Sequence, residues 1–547
     1  MTQSVTSTTV QEWIAHDPDP ETAAELSACS EEELDERFGR SLTFGTAGLR
    51  GPLRGGPNGM NLAVVLRTTW GVAQVLERRG LGGTQVVVGR DARHKSDEFA
   101  LATAEVLTAR GFEVMLMLAA VPTPIVAFMV RHMHATAGIQ ITASHNPPGD
   151  NGYKVYFEHG LQINSPIDEE IEAAIAEAPP ADEIPRAKVE TGGMEEIRHY
   201  IARAANVRRT TDDVRVALTP LHGVGGDYAL DALVRAGITD IHVVENQFQP
   251  DPDFPTVPSP NPEEPGATDA LLELAADKDA DIAIALDPDA DRCAVGIPTS
   301  EGWRMLSGDE TGWLLGDYTL SQIDPGPVSE DVLVASSVVS SRMLARIAEA
   351  HGAQHLETLT GFKWLARADD QIPGSTLVYA YEEAIGHCVD PSAVRDKDGI
   401  SAMVLACDLV AALKSQGRTV QDALDALARR HGVHTTTAVS RPVADADEAA
   451  DVLTRLRDTP PDRLCGYEVS VTDLLQADDH RRTDALILTA GDAETSVRLV
   501  VRPSGTEPKV KSYIEVRVSC HDDEDLETAR GRARELQDEL VAVARQW

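Results

Sequence analysis

Apolar and polar residues follow two different periods along this chain of 547 residues, and the two periods take turns. From Leu62 to Arg79 the apolar positions recur at helical spacing, and Gln85 to Val88 is a short apolar run of strand length. Glu98 to Arg110 returns to the helical period, Phe112 to Met117 predicts a strand, Val126 to His134 a helix, and Gly138 to Thr142 another strand. Strands alternating with helices of this length predict a doubly wound, largely parallel sheet. A Pro- and acid-rich connection, 179–185, and a helix over Met194 to Ala205 close this first series.

Two further series follow. The second has strands at Val214 to Leu218, Ile241 to Val244 and Asp281 to Leu286, helices at Asp227 to Ala236 and Ala267 to Ala276, and a Pro-rich irregular stretch over Gln247 to Gly266. The third has strands at Val332 to Ala335 and Thr376 to Ala380, with helices at Ser341 to Ala350 and Gly399 to Lys414. The last stretch differs, with strands at Thr435 to Val439, Ala485 to Thr489 and Val497 to Val501 before one helix, Asp525 to Ala544. Helical spacing from Pro20 to Phe38 predicts a leader. The expected domains are therefore 1–40, 41–208, 209–306, 307–431 and 432–547.

The charge balance narrows the partners. Eighty-eight acidic against 49 basic residues leave a formal net charge of −39, which repels nucleic acid and anionic lipid, so neither is an expected partner. Val114 to Val130, the longest apolar stretch, is interrupted by Pro122 and Pro124 and does not predict a membrane span. The six cysteines are scattered without C-x-x-C spacing, which argues against zinc and against a disulfide framework. With no basic-then-apolar leader, a cytoplasmic protein is expected.

The ends of the strands carry the chemistry, where open α/β sheets place their ligands. Thr142-Ala143-Ser144-His145-Asn146, followed by Pro147-Pro148-Gly149, sets a hydroxyl, an imidazole and an amide together, with Lys154 ten positions after the serine. Phe44 to Gly51 is a glycine-rich loop carrying Arg50, a bidentate anion binder. Gly89 to Ser96 is also cationic, and reads as a solvated turn. Asp287-Pro288-Asp289-Ala290-Asp291-Arg292 puts three carboxylates at alternate positions, which in an extended segment converge on one hard cation such as Mg²⁺. An EF-hand would require Gly and Glu where Arg292 and Pro298 stand.

Thr360-Gly361-Phe362-Lys363 and Tyr381-Glu382-Glu383-Ala384-Ile385-Gly386-His387 supply a lysine and paired glutamates able to accept from sugar hydroxyls. Arg502-Pro503-Ser504-Gly505-Thr506-Glu507-Pro508-Lys509 has the composition of a phosphate cradle. Neither a Walker A loop nor a strand-following G-x-G-x-x-G occurs, so no nucleotide cofactor is expected.

The serine, triple-aspartate, glutamate and Arg502 motifs resemble, in order, the four signature loops of the α-D-phosphohexomutases, the family of phosphoglucomutase and phosphomannomutase. Phe44 to Gly51 and Phe254 to Gly266 look like the family's longer branch, which includes phosphopentomutases. The resemblance covers nearly the whole chain. It implies an α/β fold of four domains around a central cleft, three related doubly wound mixed or parallel sheets and a C-terminal α+β domain.

It further implies a phosphoserine at Ser144, with Mg²⁺ held by its phosphate and Asp287, Asp289 and Asp291. Arg50 and His145 would line the reacting phosphate, and Arg292 would offset its charge. Lys154 or Lys363 would be the acid or base. Glu382 and Glu383 would hold the sugar, with Thr360, Gly361 and His387 in the binding set. Arg502, Ser504, Gly505, Thr506 and Lys509 would hold the second phosphate.

The implied reaction interconverts hexose 1-phosphate and 6-phosphate, of glucose or mannose, in a monomer or homodimer activated by a sugar 1,6-bisphosphate. A phosphopentomutase or a sugar bisphosphate synthase is the alternative, then a metal phosphohydrolase. One departure bears on this: Ile385 stands where many hexomutases carry a serine in the sugar loop.

Overall fold

The structure is a computed structural model and describes residues 7–45, 48–323, 331–477, 481–504, 509–521 and 524–547. Its contacts divide it into two compact units, one made of the chain up to Met305 together with Gly386–Ala412, the other of Leu306–Ile385 with Leu413–Trp547.

The first unit holds two mixed sheets. In the first sheet the strands run in the order Leu49–Pro52, Asp150–Phe157, Ala137–Ile141, Gln85–Arg90, Glu113–Met117 and Thr191–Gly192, with Leu161–Gln162 beside Asp150–Phe157. Gln85–Arg90 pairs in parallel with both neighbours, as the alternating pattern predicts. Ala137–Ile141 is buried along its whole length, which is why it reads as an apolar run broken only by Gln140, whose Nε2 donates to Val121 O at 2.9 Å.

The strand beyond it, Asp150–Phe157, is antiparallel and pairs Gln140 with Lys154. Its charged centre hides it from the apolar pattern. In the second sheet Ile282–Leu286 pairs in parallel with Arg215–Thr219, and the antiparallel strands Cys293–Thr299 and Gly302–Met305 complete that side.

Two expected helices are redrawn. The one expected from Val126 begins at Thr123, with Pro124 in its first turn. There a proline forgoes only an N–H that had no helical partner, so it starts the helix instead of breaking it. The leader is not one helix from Pro20 to Phe38, since Pro20–Ala28 and Glu31–Phe38 are separate. Ser30 starts the second with a capping box: its Oγ accepts from Glu33 N, and its own N–H donates to the Glu33 carboxylate. A further helix, Ser7–Ala15, precedes both.

The second unit contains the parallel strands Gln354–Thr358, Val332–Ser337 and Thr376–Glu382. It also holds an antiparallel sheet ordered Val433–Pro442, Lys509–Val518, Thr495–Pro503, Leu486–Gly491 and Ser470–Asp473. Leu526–Ala544 packs on this second sheet through Leu526, Ala529, Ala533 and Leu540.

A buried polar network ties the second unit together. Asp309 Oδ1 accepts from Ser341 N at 2.8 Å and from Tyr381 OH at 2.9 Å. Glu515 accepts from Ser341 Oγ at 2.7 Å and from Arg342 N and Nε at 2.8 Å each, and lies 2.9 Å from His434 Nδ1. Burial pushes the Asp309 carboxyl up to about 7, its hydrogen bonds only partly opposing this. The opposite holds at Glu515, where His434 and Arg342 overcome burial and keep the group well below the carboxylate range.

Asp309 therefore holds a proton in the folded state that the unfolded chain gives up near pH 4. Its stabilising contribution is complete below that value and is lost as pH rises through about 7. Asp309→Asn keeps the acceptor oxygen and removes the titration. Its stability relative to wild type should rise by on the order of 2 kcal/mol between pH 5 and pH 8. Thermal melts of both proteins at the two pH values test this, and parallel curves would show that Asp309 is already ionised at pH 5.

Candidate active site

Ser144 stands just past the end of strand Ala137–Ile141, at φ 55°, in the left-handed region that a non-glycine residue rarely occupies. Thr142 Oγ1 accepts its backbone N–H at 2.8 Å, which helps hold the turn. The hydroxyl thus leaves the sheet and donates to Asp287 Oδ2 at 2.8 Å, with His145 Nδ1 3.1 Å away. Strain of this kind concentrates where a side chain must be aimed.

The three aspartates come together, but not by the expected route. Residues 287–292 form a turn, not an extended run. Ala290 takes φ 53°, and its N–H donates to Asp287 O. The antiparallel return of Cys293–Thr299, which pairs Leu286 with Cys293, closes the turn. Neighbouring backbone clamps it: Val224 N donates to Pro288 O at 2.8 Å, and Gly399 N to Ala290 O at 3.2 Å. A Cβ at Gly223 would fall 2.3 Å from Pro288 Cα, so no side chain fits between the two loops.

The result is a set of three buried carboxylates, each offering an oxygen within 4.8 Å of the others. Burial and the two neighbouring carboxylates raise Asp287 well above the usual range. Burial would raise Asp289 too, but Lys154 outweighs it and holds that group low. Lys154 Nζ donates to Asp289 Oδ2 at 2.7 Å and to Asp291 Oδ2 at 2.8 Å. Among the described residues the buried second oxygens, Asp289 Oδ1 and Asp291 Oδ1, have no hydrogen-bond partner, the latter lying 3.9 Å from Arg292 Nε. Hard oxygens left without hydrogen bonds in a tight group fit a divalent cation of the Mg²⁺ type.

Cations surround this group. Arg50, on Leu49–Pro52 opposite Gly152, donates from Nη1 to Asn146 Oδ1 at 3.3 Å. Burial lowers its guanidinium, and Asp289 and Asp291 oppose the shift. Arg292 lies 3.5 Å from Glu263. Burial, then Arg292 and Arg50, hold His145 well below the usual imidazole range.

The other expected residues are distributed as follows. His387 lies fully buried on Gly386–Cys388 in the first unit, and burial pushes its imidazole down to about 3. In the second unit, Glu383 Oε2 accepts from Ser337 Oγ and Ser340 Oγ at 3.0 Å each, and Glu382 is nearly buried. Lys363 lies on the short helix Phe362–Leu365, which starts after Thr360 and Gly361; Gly361, at φ 106°, is suited to that turn by its missing side chain. Arg502 and Lys509 end the strands Thr495–Pro503 and Lys509–Val518, joined by Ser504 N donating to Lys509 O at 2.8 Å. Gly505 and Thr506 lie outside the described residues, as do Thr46 and Ala47 of the Arg50 loop.

Three features of the site escape a reading of the sequence. Thr123 Oγ1 donates to Asp289 Oδ2 at 2.5 Å and orients that carboxylate; its signal was the Pro122-Thr123-Pro124 turn, read only as an interruption. Lys397 Nζ lies 3.2 Å from Asp291 Oδ2 and 3.4 Å from Asp396 Oδ1, and all three residues are buried. Three charges in a row, Asp396-Lys397-Asp398, ahead of an apolar helix were the signal there. The Gly89 to Ser96 turn is not solvated at its centre either: Asp91 and Arg93 are buried.

Comparison with known proteins places this arrangement. Residues 41–181, 197–300 and 307–431 match the α/β/α domains I, II and III of phosphoglucomutase/phosphomannomutase, and the β-rich C-terminal domain follows. The chain is 39% identical to a Haemophilus influenzae protein named probable phosphomannomutase, over 84% of this chain and 93% of that one. It is 35% identical to the phosphopentomutase of Homo sapiens, covering 89% and 87%. With a Staphylococcus aureus phosphoglucomutase it shares 31%, covering 90% and 93%. A solved phosphoglucomutase/phosphomannomutase family protein of Burkholderia thailandensis has the same fold, with a TM-score of 0.68 at 21% identity over 91% of this chain and 95% of that one.

Proposed function

Because the chain belongs to the phosphoglucomutase/phosphomannomutase family, we propose that it is a phosphosugar mutase acting on hexose monophosphates, glucose and mannose among them. Ser144 carries the phosphoryl group. Phosphoserine gives it to the free hydroxyl of the sugar monophosphate, whose proton passes to Lys154 or Lys363, whichever stands there as the neutral amine. The sugar bisphosphate turns end for end, and its other phosphoryl group returns to Ser144 Oγ as the departing sugar oxygen takes back a proton. A sugar 1,6-bisphosphate serves as activator by loading the serine.

The observation that carries this reading is the hydrogen bond from Ser144 Oγ to Asp287, in a buried group that also holds Asp289, Asp291 and Lys154. Mg²⁺ held by the three aspartates would neutralise charge on the transferring group, phosphoryl transfer being mostly positioning and electrostatics. Arg50, His145 and Arg292 bind the reacting phosphate. Glu382 and Glu383 accept from sugar hydroxyls, with Thr360 and Gly361 in the same set; His387, fully buried, is left out of it. Arg502, Ser504, Gly505, Thr506 and Lys509 bind the second phosphate. The six cysteines are scattered along the sequence without C-x-x-C spacing, which suits a reducing compartment, and we place the enzyme in the cytoplasm.

A pentose reading is favoured by one residue. Ile385 is buried, at φ 51°, where many hexomutases have a hydroxyl, and losing a substrate hydrogen bond weakens discrimination. A coupled assay with glucose, mannose, ribose and glucosamine 1-phosphates at equal concentration decides between the two. Higher kcat/KM for glucose or mannose supports the hexose assignment, and a preference for ribose reverses it. Steady release of inorganic phosphate in place of the isomer would replace the mutase by a phosphohydrolase.

A further inference from the structure

The cationic turn after strand Gln85–Arg90 reaches into the serine loop. Arg93 is 4% exposed, and its guanidinium meets four carbonyls of that loop. Nη2 donates to Ser144 O at 2.6 Å and to Asn146 O at 2.5 Å. Nη1 donates to Pro147 O at 2.8 Å and to Asp150 O at 3.3 Å. Asp91 anchors the arginine from behind, with Oδ2 3.4 Å from Nε and Oδ1 accepting Arg93 N at 3.0 Å. The Phe254 ring covers the guanidinium face at 5.0 Å.

The Ser144–Asp150 segment is neither helix nor strand until its last residue, and within it Pro147 O also accepts Asp150 N at 3.1 Å. The carbonyl of Ser144 is buried and needs a donor, and here one planar fork serves it together with the three part-buried carbonyls beside it. With the carbonyl of Ser144 drawn inward, its side chain is turned the other way, towards Asp287.

We propose that Arg93 is a positioning residue for phosphoryl transfer, fixing the left-handed conformation of Ser144 and with it the direction of Oγ. Among the described residues its polar partners are loop carbonyls and Asp91, with no hydrogen bond or ion pair to Asp287 or the Ser144 hydroxyl; it acts through the backbone of the loop. The inference rests on Ser144 being the phosphoryl carrier. Displacing a reacting atom by about 1 Å can cost on the order of 100-fold in rate, so a loosened loop lowers kcat while leaving ground-state sugar binding in place. A lysine cannot substitute, because a single ammonium cannot span the positions of Nη1 and Nη2.

The test compares wild type, Arg93→Lys and Arg93→Ala for kcat and KM with glucose 1-phosphate or the preferred sugar. It adds phosphate occupancy of Ser144 by peptide mass, melting temperature, and the response of Arg93→Ala to added guanidinium ion. The expected result is a fall in kcat of on the order of 100-fold in both variants. KM should stay within about threefold, both variants should remain folded at the assay temperature, and guanidinium should partly restore kcat to Arg93→Ala. Wild-type kcat in Arg93→Lys, or losses in both variants that follow the unfolded fraction alone with no guanidinium rescue, would overturn the positioning role while the carrier stands. Absence of phosphate from Ser144 in active wild-type enzyme would overturn the carrier reading, and this inference with it.

Discussion

Ser144→Ala should lower phosphosugar mutase turnover by on the order of 10⁴-fold or more, because removing a covalent carrier leaves only binding and positioning to act. That loss corresponds to about 5.5 kcal/mol of transition-state stabilisation. The variant should also lose the mass of one phosphate group that wild type carries after incubation with sugar bisphosphate. The substitution removes only Oγ, whose partners are Asp287 Oδ2 and His145 Nδ1, so the fold should survive. The backbone raises one complication, since Ser144 is held at φ 55° and alanine is no more at ease there than serine. Ser144→Gly removes the hydroxyl and the conformational penalty together. Equal inactivity of the two variants, each with a melting temperature close to wild type, assigns the loss to the missing oxygen. Substantial turnover in either one would exclude Ser144 as the carrier.

The residues that bear on this experiment were legible to different degrees, for physical reasons. Ser144, the three aspartates and the Arg502 turn sit where a regular apolar run stops, and their side chains have a narrow chemical range. A hydroxyl beside an imidazole, or three carboxylates within five residues, stands out without any tertiary information.

Arg93 and Lys154 did not stand out as buried. A charged residue in a turn or a strand is ordinarily solvated, and what covers these two comes from far along the chain. Phe254 and the Ser144–Asp150 carbonyls enclose Arg93, and the carboxylates of Asp289 and Asp291 receive Lys154. The same distance hid the strand Asp150–Phe157, whose central lysine interrupts the apolar alternation and is tolerated only because those carboxylates meet it. Thr123 escapes for a local reason: a proline interrupts the apolar pattern, yet the first helical turn accepts it.

Lys154→Met should act in opposite directions on stability without metal and on metal affinity. The ammonium is 1% exposed and shared between Asp289 and Asp291. Without it, three carboxylates remain buried together with Lys397 near one of them. Breaking a buried ion pair by removing one partner costs about 3–5 kcal/mol, so the variant should melt well below wild type in chelator. Asp289 Oδ1 and Asp291 Oδ1, without hydrogen bonds among the described residues, remain, and the carboxylates now lack the Lys154 charge that competed with a divalent ion. Magnesium should therefore bind the variant more tightly and raise its melting temperature by a larger increment, since stabilisation grows as RT ln(1 + [L]/Kd). Activity should still fall, by on the order of 10²–10⁴-fold if Lys154 is the proton-transfer group. A merely destabilised protein would recover its turnover once metal had restored its melting point. Melting curves in chelator and across a magnesium titration, read beside kcat at saturating metal, separate the cases. Identical magnesium responses in variant and wild type would mean that Lys154 and the metal do not share those carboxylates.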